Sequence, residues 1–208
     1  MKKICICGGG SLGHVIAGYL SANGKATVSI LTNHPTAWQN KIEICVPDNG
    51  EMLIGNIACV SANPAEALLD AEIVLLCLPG FLIKDELIKI RDFINSGTYV
   101  GSVFSSTGFF FEALKLLNED IPLWGFQRVP FISRIKEYGH SASLLGYKGC
   151  YHIAVERDTD ANKELFRYWV ENSFDRPVTL LKNYLEASLT NSNPLLHTAR
   201  LYSMFHDW

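Results

Sequence analysis

No run of lysine and arginine occurs in this sequence, and its formal net charge is only −3. Nothing in that pattern calls for nucleic acid or an anionic membrane surface, and neither is expected as a partner. No apolar stretch is long enough to cross a bilayer: the longest, residues 73–83, is broken by Pro79-Gly80. The opening Met1-Lys2-Lys3 is not read as a secretion signal, because Gly8-Gly9-Gly10 arrives too soon and no small-residue cleavage site comes after an apolar core. Low-complexity tracts are absent. With 48% of its 208 residues hydrophobic, the chain can bury a substantial core. Paired metal-ligand clusters are missing as well. Cys5 and Cys7 form a C-x-C pair on one face of a strand, but no second pair lies nearby, so no metal is expected. The cysteines are scattered, several inside strand-like apolar runs where a thiol acts as a small hydrophobe. Reduced thiols and a cytoplasmic location are the expectation.

The sequence does carry an alternation of strand and helix. Residues 3–7 read as a buried strand, with a glycine-rich turn after it. Leu12, Val15, Ile16, Tyr19 and Leu20 then recur at helical spacing until Asn23-Gly24. Residues 26–31 form a second strand, so strand, helix and strand fit within about thirty residues. That is a βαβ unit, whose crossover makes a parallel sheet. Residues 41–60 read as a hairpin turning at 47–50 and leading into a third sheet strand at 57–60. Asn63-Pro64 caps a short helix. Strands are expected at 72–78, 98–104 and 123–126, and helices at 82–94 and 110–117. Beyond that the alternation weakens. Residues 141–145 and 150–155 look like an antiparallel pair, 161–172 a helix and 178–181 a short strand. From Asn183 the pattern is helical, with an interruption at 191–194. The expected fold is α/β: a Rossmann-type, doubly wound, mostly parallel sheet over residues 1–182. The start of an α-helical substrate or dimerisation domain is expected at 183–208.

Gly8-Gly9-Gly10-Ser11-Leu12-Gly13 fits G-x-G-x-x-G in the context that motif needs, after a strand and opening an amphipathic helix. Gly8 suits a tight turn, Gly10 a close approach to a pyrophosphate, and Gly13 close helix–strand packing. With Ser11 and Leu12 they are candidate ligands of a nicotinamide dinucleotide, whose phosphates the helix N-terminus favours. The second strand ends in Thr32-Asn33-His34. An NAD site usually places a carboxylate there for the ribose 2′-hydroxyl. Its absence favours NADP over NAD, with Thr32, Asn33 and His34 near the 2′-phosphate. Leu78-Pro79 and the Ser105 to Thr107 turn leave the carboxyl ends of later strands, where ligands bind in open α/β sheets. Leu78, Pro79, Ser105 and Thr107 are therefore expected at the nicotinamide half.

Three stretches together resemble the octopine/nopaline group of opine dehydrogenases: the glycine loop and its helix at 8–20, the run Gln127-Arg128-Val129-Pro130-Phe131-Ile132-Ser133-Arg134, and Asn193-Pro194-Leu195-Leu196-His197. The last is the most specific, although Thr198 stands where relatives commonly have proline. The resemblance implies reductive condensation of an amino acid with a 2-keto acid, NAD(P)H reducing the C=N bond. It makes His197 the catalytic histidine, in the range where an imidazole can move protons at neutral pH. Asn193 becomes a substrate-binding residue, with Arg200, Arg128 and Arg134 as rival clamps for a substrate carboxylate. The family's helical domain is longer than the segment after Asn183, so the chain is expected to hold only its beginning. The apolar Leu195, Tyr202 and Phe205 point to a homodimer. A ketopantoate-reductase-like enzyme relying on Lys182, and a dinucleotide-binding module without catalysis, are the alternatives.

Overall fold

The computed structural model describes residues 1–48 and 50–206, with Asn193 and Pro194 described by their backbone alone. In chain order the elements are β1 (Lys2–Cys7), α1 (Ser11–Ala22), β2 (Ala26–Leu31), β3 (Lys41–Val46), β4 (Glu51–Ser61), α2 (Pro64–Ala67), β5 (Ile73–Leu76) and α3 (Gly80–Ile90). Then come β6 (Tyr99–Ser102), α4 (Phe109–Leu116), β7 (Leu123–Phe126), β8 (Phe131–Glu137), β9 (Ser141–Tyr147), β10 (Tyr151–Glu156), α5 (Asp160–Phe174), β11 (Val178–Leu180), α6 (Tyr184–Leu189) and α7 (Asn193–His206).

The strands form one sheet in the order β11-β10-β7-β6-β5-β1-β2-β4-β3-β9-β8. Its centre, β7-β6-β5-β1-β2-β4, is parallel throughout. This is the doubly wound Rossmann order. Such strands are covered on both faces, which explains why β5 is four consecutive buried aliphatic residues. One core layer packs α1 and α5 on the sheet through Val15, Ile16, Leu20, Phe166, Val170 and Phe174. The other packs α3 and α4 through Ile83, Leu87, Ile90, Phe109 and Phe110. Each such side chain, fully buried, stabilises by about 1.5–3 kcal/mol.

Two parts of the arrangement differ from the expectation. Residues 51–61 form one strand, not a hairpin arm and a separate sheet strand. The first half of β4 pairs antiparallel with β3, and the second half parallel with β2. The expected pairing of 141–145 with 150–155 does not occur. β9 pairs with β8 and β3, while β10 lies at the far side of the sheet, antiparallel to β7 and parallel to β11. The physical reason is β8. It alternates buried and exposed positions from Phe131 to Arg134, but polar Ser133 faces inward and apolar Ile132 outward, so the sequence does not show the pattern by which a strand is recognised.

The strands β3, β9 and β8 wrap round α1, which is buried on nearly every side from Gly13 to Leu20. α6 also packs on the sheet: Ala187 and Ser188 are buried, and the Tyr184 N–H donates to Glu156 Oε1 (2.7 Å). α7 differs. From Leu195 onward its described residues are exposed.

Candidate functional site

The chain leaves β1 toward β2 and β4 on one side, and later returns to β5 on the other. The crevice at this reversal, beyond the carboxyl ends of β1 and β5, is where open α/β sheets bind ligands. The glycine loop occupies it. Gly8 sits at φ +116°, and its N–H donates to Leu31 O (3.0 Å). A Cβ there would fall 2.8 Å from Cys77 O, and one at Gly13 would collide with Gly8 O. Gly10, the N-cap of α1, has nothing within 4 Å of a would-be Cβ and no side-chain capping bond. The first-turn amides of α1 therefore open toward free space, as an anion site requires.

The loop is pinned by His14, which is fully buried in α1. The Gly139 N–H donates to His14 Nε2 (2.7 Å), so the ring proton sits on Nδ1, which donates to Gly10 O (3.0 Å). The ring stacks on Trp38 at 4.1 Å, with Tyr138 at its edge. Burial lowers the pKa of His14, outweighing the opposing pull of Gly10 O. Beneath the loop, Cys7 is held as a thiol by its hydrogen bond with Cys5 and by burial, and Cys77 by burial.

Two cavities flank the loop. The larger, about 720 Å³, is lined by Gly10, Ser11 and Leu12, by Leu78, Pro79 and Gly80, by Val103, Phe104, Ser106 and Thr107, and by Val129 and residues 131–134. The smaller, about 160 Å³, lies on the β2 side, lined by Gly8, Gly9, Leu31, Thr32, Asn33, His34, Leu78, Glu86, Lys89 and Tyr138. Tyr138 Oη stands 3.3 Å from Thr32 Oγ1 and covers Gly9, where a Cβ would strike it. Together the cavities form a cleft with phosphate-binding geometry at its middle. The residues present fit a dinucleotide: a Cβ at Gly10 would enter the space that a pyrophosphate needs.

Most of the sequence-derived cofactor residues therefore meet here. Gly10, Ser11, Leu12, Leu78, Pro79 and Thr107 line the larger cavity, and Gly8, Thr32, Asn33 and His34 the smaller, while Gly13 packs helix to strand. Ser105 does not line the cleft: it is buried and its Oγ donates to Phe126 O (2.8 Å), leaving its neighbour Ser106 in the wall. Of the candidate arginines, Arg134 lines the larger cavity, its Nη1 donating to Ser133 O (2.8 Å). Arg128 faces a separate cavity with Lys148 and His152, and its Nη2 donates to Ser192 Oγ (3.0 Å). His197 and Arg200 lie exposed on α7 and in neither cavity of the cleft. The side chain of Asn193 lies outside the described residues. Lys182 is exposed. Sequence reasoning missed Glu86, Lys89, Tyr138 and the β8 wall. Only the i,i+3 spacing of Glu86 and Lys89 on α3 was visible beforehand. Among the described residues no three His, Cys, Asp or Glu side chains gather to hold a metal, and no helix is long and apolar enough to cross a membrane.

No family model matches the chain. An uncharacterized protein of Sinorhizobium fredii is 29% identical over 97% of this chain and 56% of its own length. Tauropine dehydrogenase of Arabella iricolor is 26% identical over all of this chain and 56% of its own. Octopine dehydrogenase of Mizuhopecten yessoensis is 22% identical over 99% of this chain and 55% of its own. Among solved structures, octopine dehydrogenase in complex with NADH and agmatine superposes with a TM-score of 0.85 at 20% identity, over 100% of this chain and 55% of that one. A 2-dehydropantoate 2-reductase from Porphyromonas gingivalis reaches 0.66 at 15% identity, over 86% and 64%. The chain thus spans about half the length of the curated relatives it matches. Its fold is the Rossmann fold of these neighbours, and along its whole length it is similar to the octopine, tauropine and opine dehydrogenases.

Proposed function

We propose that the chain is the dinucleotide-binding part of an opine-dehydrogenase-like oxidoreductase. In this reading an amino acid and a 2-keto acid condense, and NAD(P)H reduces the resulting C=N bond. The observation that carries it is the uncapped N-terminus of α1 behind Gly10, opening on a cleft at the reversal between β1 and β5. Gly8, Gly10, Ser11, Leu12 and Gly13 hold the pyrophosphate. Thr32, Asn33 and His34 take the adenosine ribose, and Leu78, Pro79, Ser106 and Thr107 the nicotinamide half. When bound, the dinucleotide supplies the hydride. The carboxylate-free end of β2 supports NADP over NAD. Arg134, in the wall of the larger cavity, is placed to bind a substrate carboxylate.

His197 is the proton-handling residue in this reading. Its support is the root of α7. Ser106, in the cavity wall, donates to Ser188 O (3.0 Å), Gln127 Nε2 donates to Thr190 Oγ1 (2.6 Å), and Arg128 reaches Ser192. α6 is thereby tied to the cleft wall, and α7 follows it within a few residues, with Asn193 and His197 in its first turns. Residues 183–208 would begin a helical substrate or dimerisation domain, in a cytoplasmic homodimer. The scattered free cysteines and the apolar residues of α7 favour these last two points. One observation favours a non-catalytic dinucleotide module instead: the exposure of His197 and Arg200.

Fluorescence titration with NADPH and NADH, wild type beside Gly10→Asp, tests the proposal. Saturable binding that the substitution abolishes is the expected result. Turnover of an amino-acid and keto-acid pair, lost in His197→Ala, separates the enzyme from the module. A folded wild type that binds neither nucleotide would refute the reading.

A further inference from the structure

The end of β2 lacks the acid that would recognise a ribose 2′-hydroxyl, and the sequence offers no arginine beside it. The structure brings a cation there from elsewhere. Lys89, in the last turn of α3, lines the smaller cavity, and its Nζ lies 3.4 Å from Asn33 Oδ1. The two residues are 56 positions apart in sequence. Lys89 makes no ion pair among the described residues, a state it shares with Lys41, Lys84, Lys136, Lys148 and Lys182, but of these it alone lines the smaller cavity. An ammonium whose one described partner is a long bond to a neutral amide is poised for a stronger acceptor.

We propose that Lys89 selects the cofactor, its ammonium binding the 2′-phosphate of NADPH at the end of β2. The assignment rests on the dinucleotide reading above and adds to it a residue that the β2 sequence does not contain. The chemistry of the cavity agrees. A 2′-phosphate brings negative charge to a site where Thr32 and Asn33 offer hydrogen bonds and where Lys89 supplies the positive charge. His34, in the same wall, presents a second nitrogen donor group. The competing group is Glu86, one turn earlier on α3 and also in the wall. A carboxylate there would repel the phosphate and accept from a ribose hydroxyl instead. Burial holds the Glu86 carboxyl above its ordinary range, with the Lys89 charge pulling the other way. That burial works against the charged form, and Glu86→Gln reads how far its carboxylate opposes the phosphate.

The test is a titration of the full chain with NADPH, NADH and 2′,5′-ADP, in wild type, Lys89→Met, Lys89→Arg and Glu86→Gln. Lys89→Met is expected to weaken NADPH and 2′,5′-ADP about tenfold, the scale of one charge-assisted bond at a half-exposed site, and to leave NADH within about twofold. Lys89→Arg should retain the preference. Equal changes for NADPH and NADH, or none, would overturn the assignment while the dinucleotide reading stands. So would a wild type that prefers NADH and loses that preference in Glu86→Gln, which would make Glu86 the acid that β2 lacks. Failure of folded wild type to bind either nucleotide would remove the dinucleotide reading and this assignment with it.

Discussion

One imidazole ties the glycine loop to the strands that cover it. His14 works only as the neutral Nδ1–H tautomer, because a protonated ring would turn a second N–H against the Gly139 N–H. Its folded-state pKa is lowered by burial, so the unfolded chain binds the proton more readily. His14 therefore contributes no pH dependence above about 6.5, the ordinary imidazole value, and costs stability as pH falls below it. Denaturant melts of wild type and His14→Gln at pH 7.5 and pH 5.5 would show this. The wild type should lose more stability than the variant over that interval, and equal losses would contradict the tautomer. The loop glycines separate fold from binding at the same scale. Gly13→Ala forces a Cβ onto Gly8 O, and is expected to cost about 1–3 kcal/mol by overpacking. Gly10→Ala meets no atom within 4 Å, so its stability should stay within about 0.5 kcal/mol of wild type while NADPH binding weakens. Melting curves and titrations run on the same two samples would check both, and a Gly10→Ala protein with unchanged affinity would remove the pyrophosphate from that position.

Helix α1 is held at a distance that only glycine permits. Gly55, in the middle of β4, faces Gly18 of α1. A Cβ at Gly55 would lie 2.7 Å from Gly18 O and would strike Ser21 Oγ. Because the obstruction includes backbone, repacking a side chain cannot relieve it. Gly55→Ala should cost about 2 kcal/mol, or about 4–8 °C in melting temperature for a chain of this length. A shift below about 1 °C would mean that α1 and β4 separate easily. The pair also shows why the sequence was legible in part. Gly8, Gly10 and Gly13 act through local spacing, and β1, α1, β2 and β5 carry strong patterns, so the Rossmann core and the phosphate loop were readable. Gly55 acts on the backbone of Gly18, and Gly18 on Ile44 of β3, across the fold, and nothing in either one's neighbours reveals that. The same holds for Lys89 and Asn33, and for Tyr138 over Gly9. β8 was hidden because Ser133 faces inward and Ile132 outward, and so the wall that it gives the cleft was hidden too. Ser105 was placed in the cleft from its position at the carboxyl end of a strand, whereas its hydroxyl turns inward to Phe126 O.

Over the whole molecule, burial is uneven. The sheet and its helices enclose two dense cores, whereas α7 carries Leu195, Leu196, Leu201, Tyr202, Met204 and Phe205 each more than half exposed. Removing a helix that buries so little should cost the body little, since stability scales with the apolar area withdrawn from water. The contacts of Thr190 and Ser192 with Gln127 and Arg128 belong to the body and must be kept. A chain ending at Ser192 is therefore expected to melt within about 2 °C of the full protein and to bind NADPH as tightly. An apolar surface of this kind drives association, so the full chain should self-associate with rising concentration and the shortened one should not. Light scattering across a concentration series, beside melting curves, reads both effects. A drop of many degrees on shortening would show that α7 packs against the sheet in solution. Equal scattering from the two chains would place the association surface, if there is one, elsewhere on the body. The expected pair of results would leave α7 as a surface that a second copy covers.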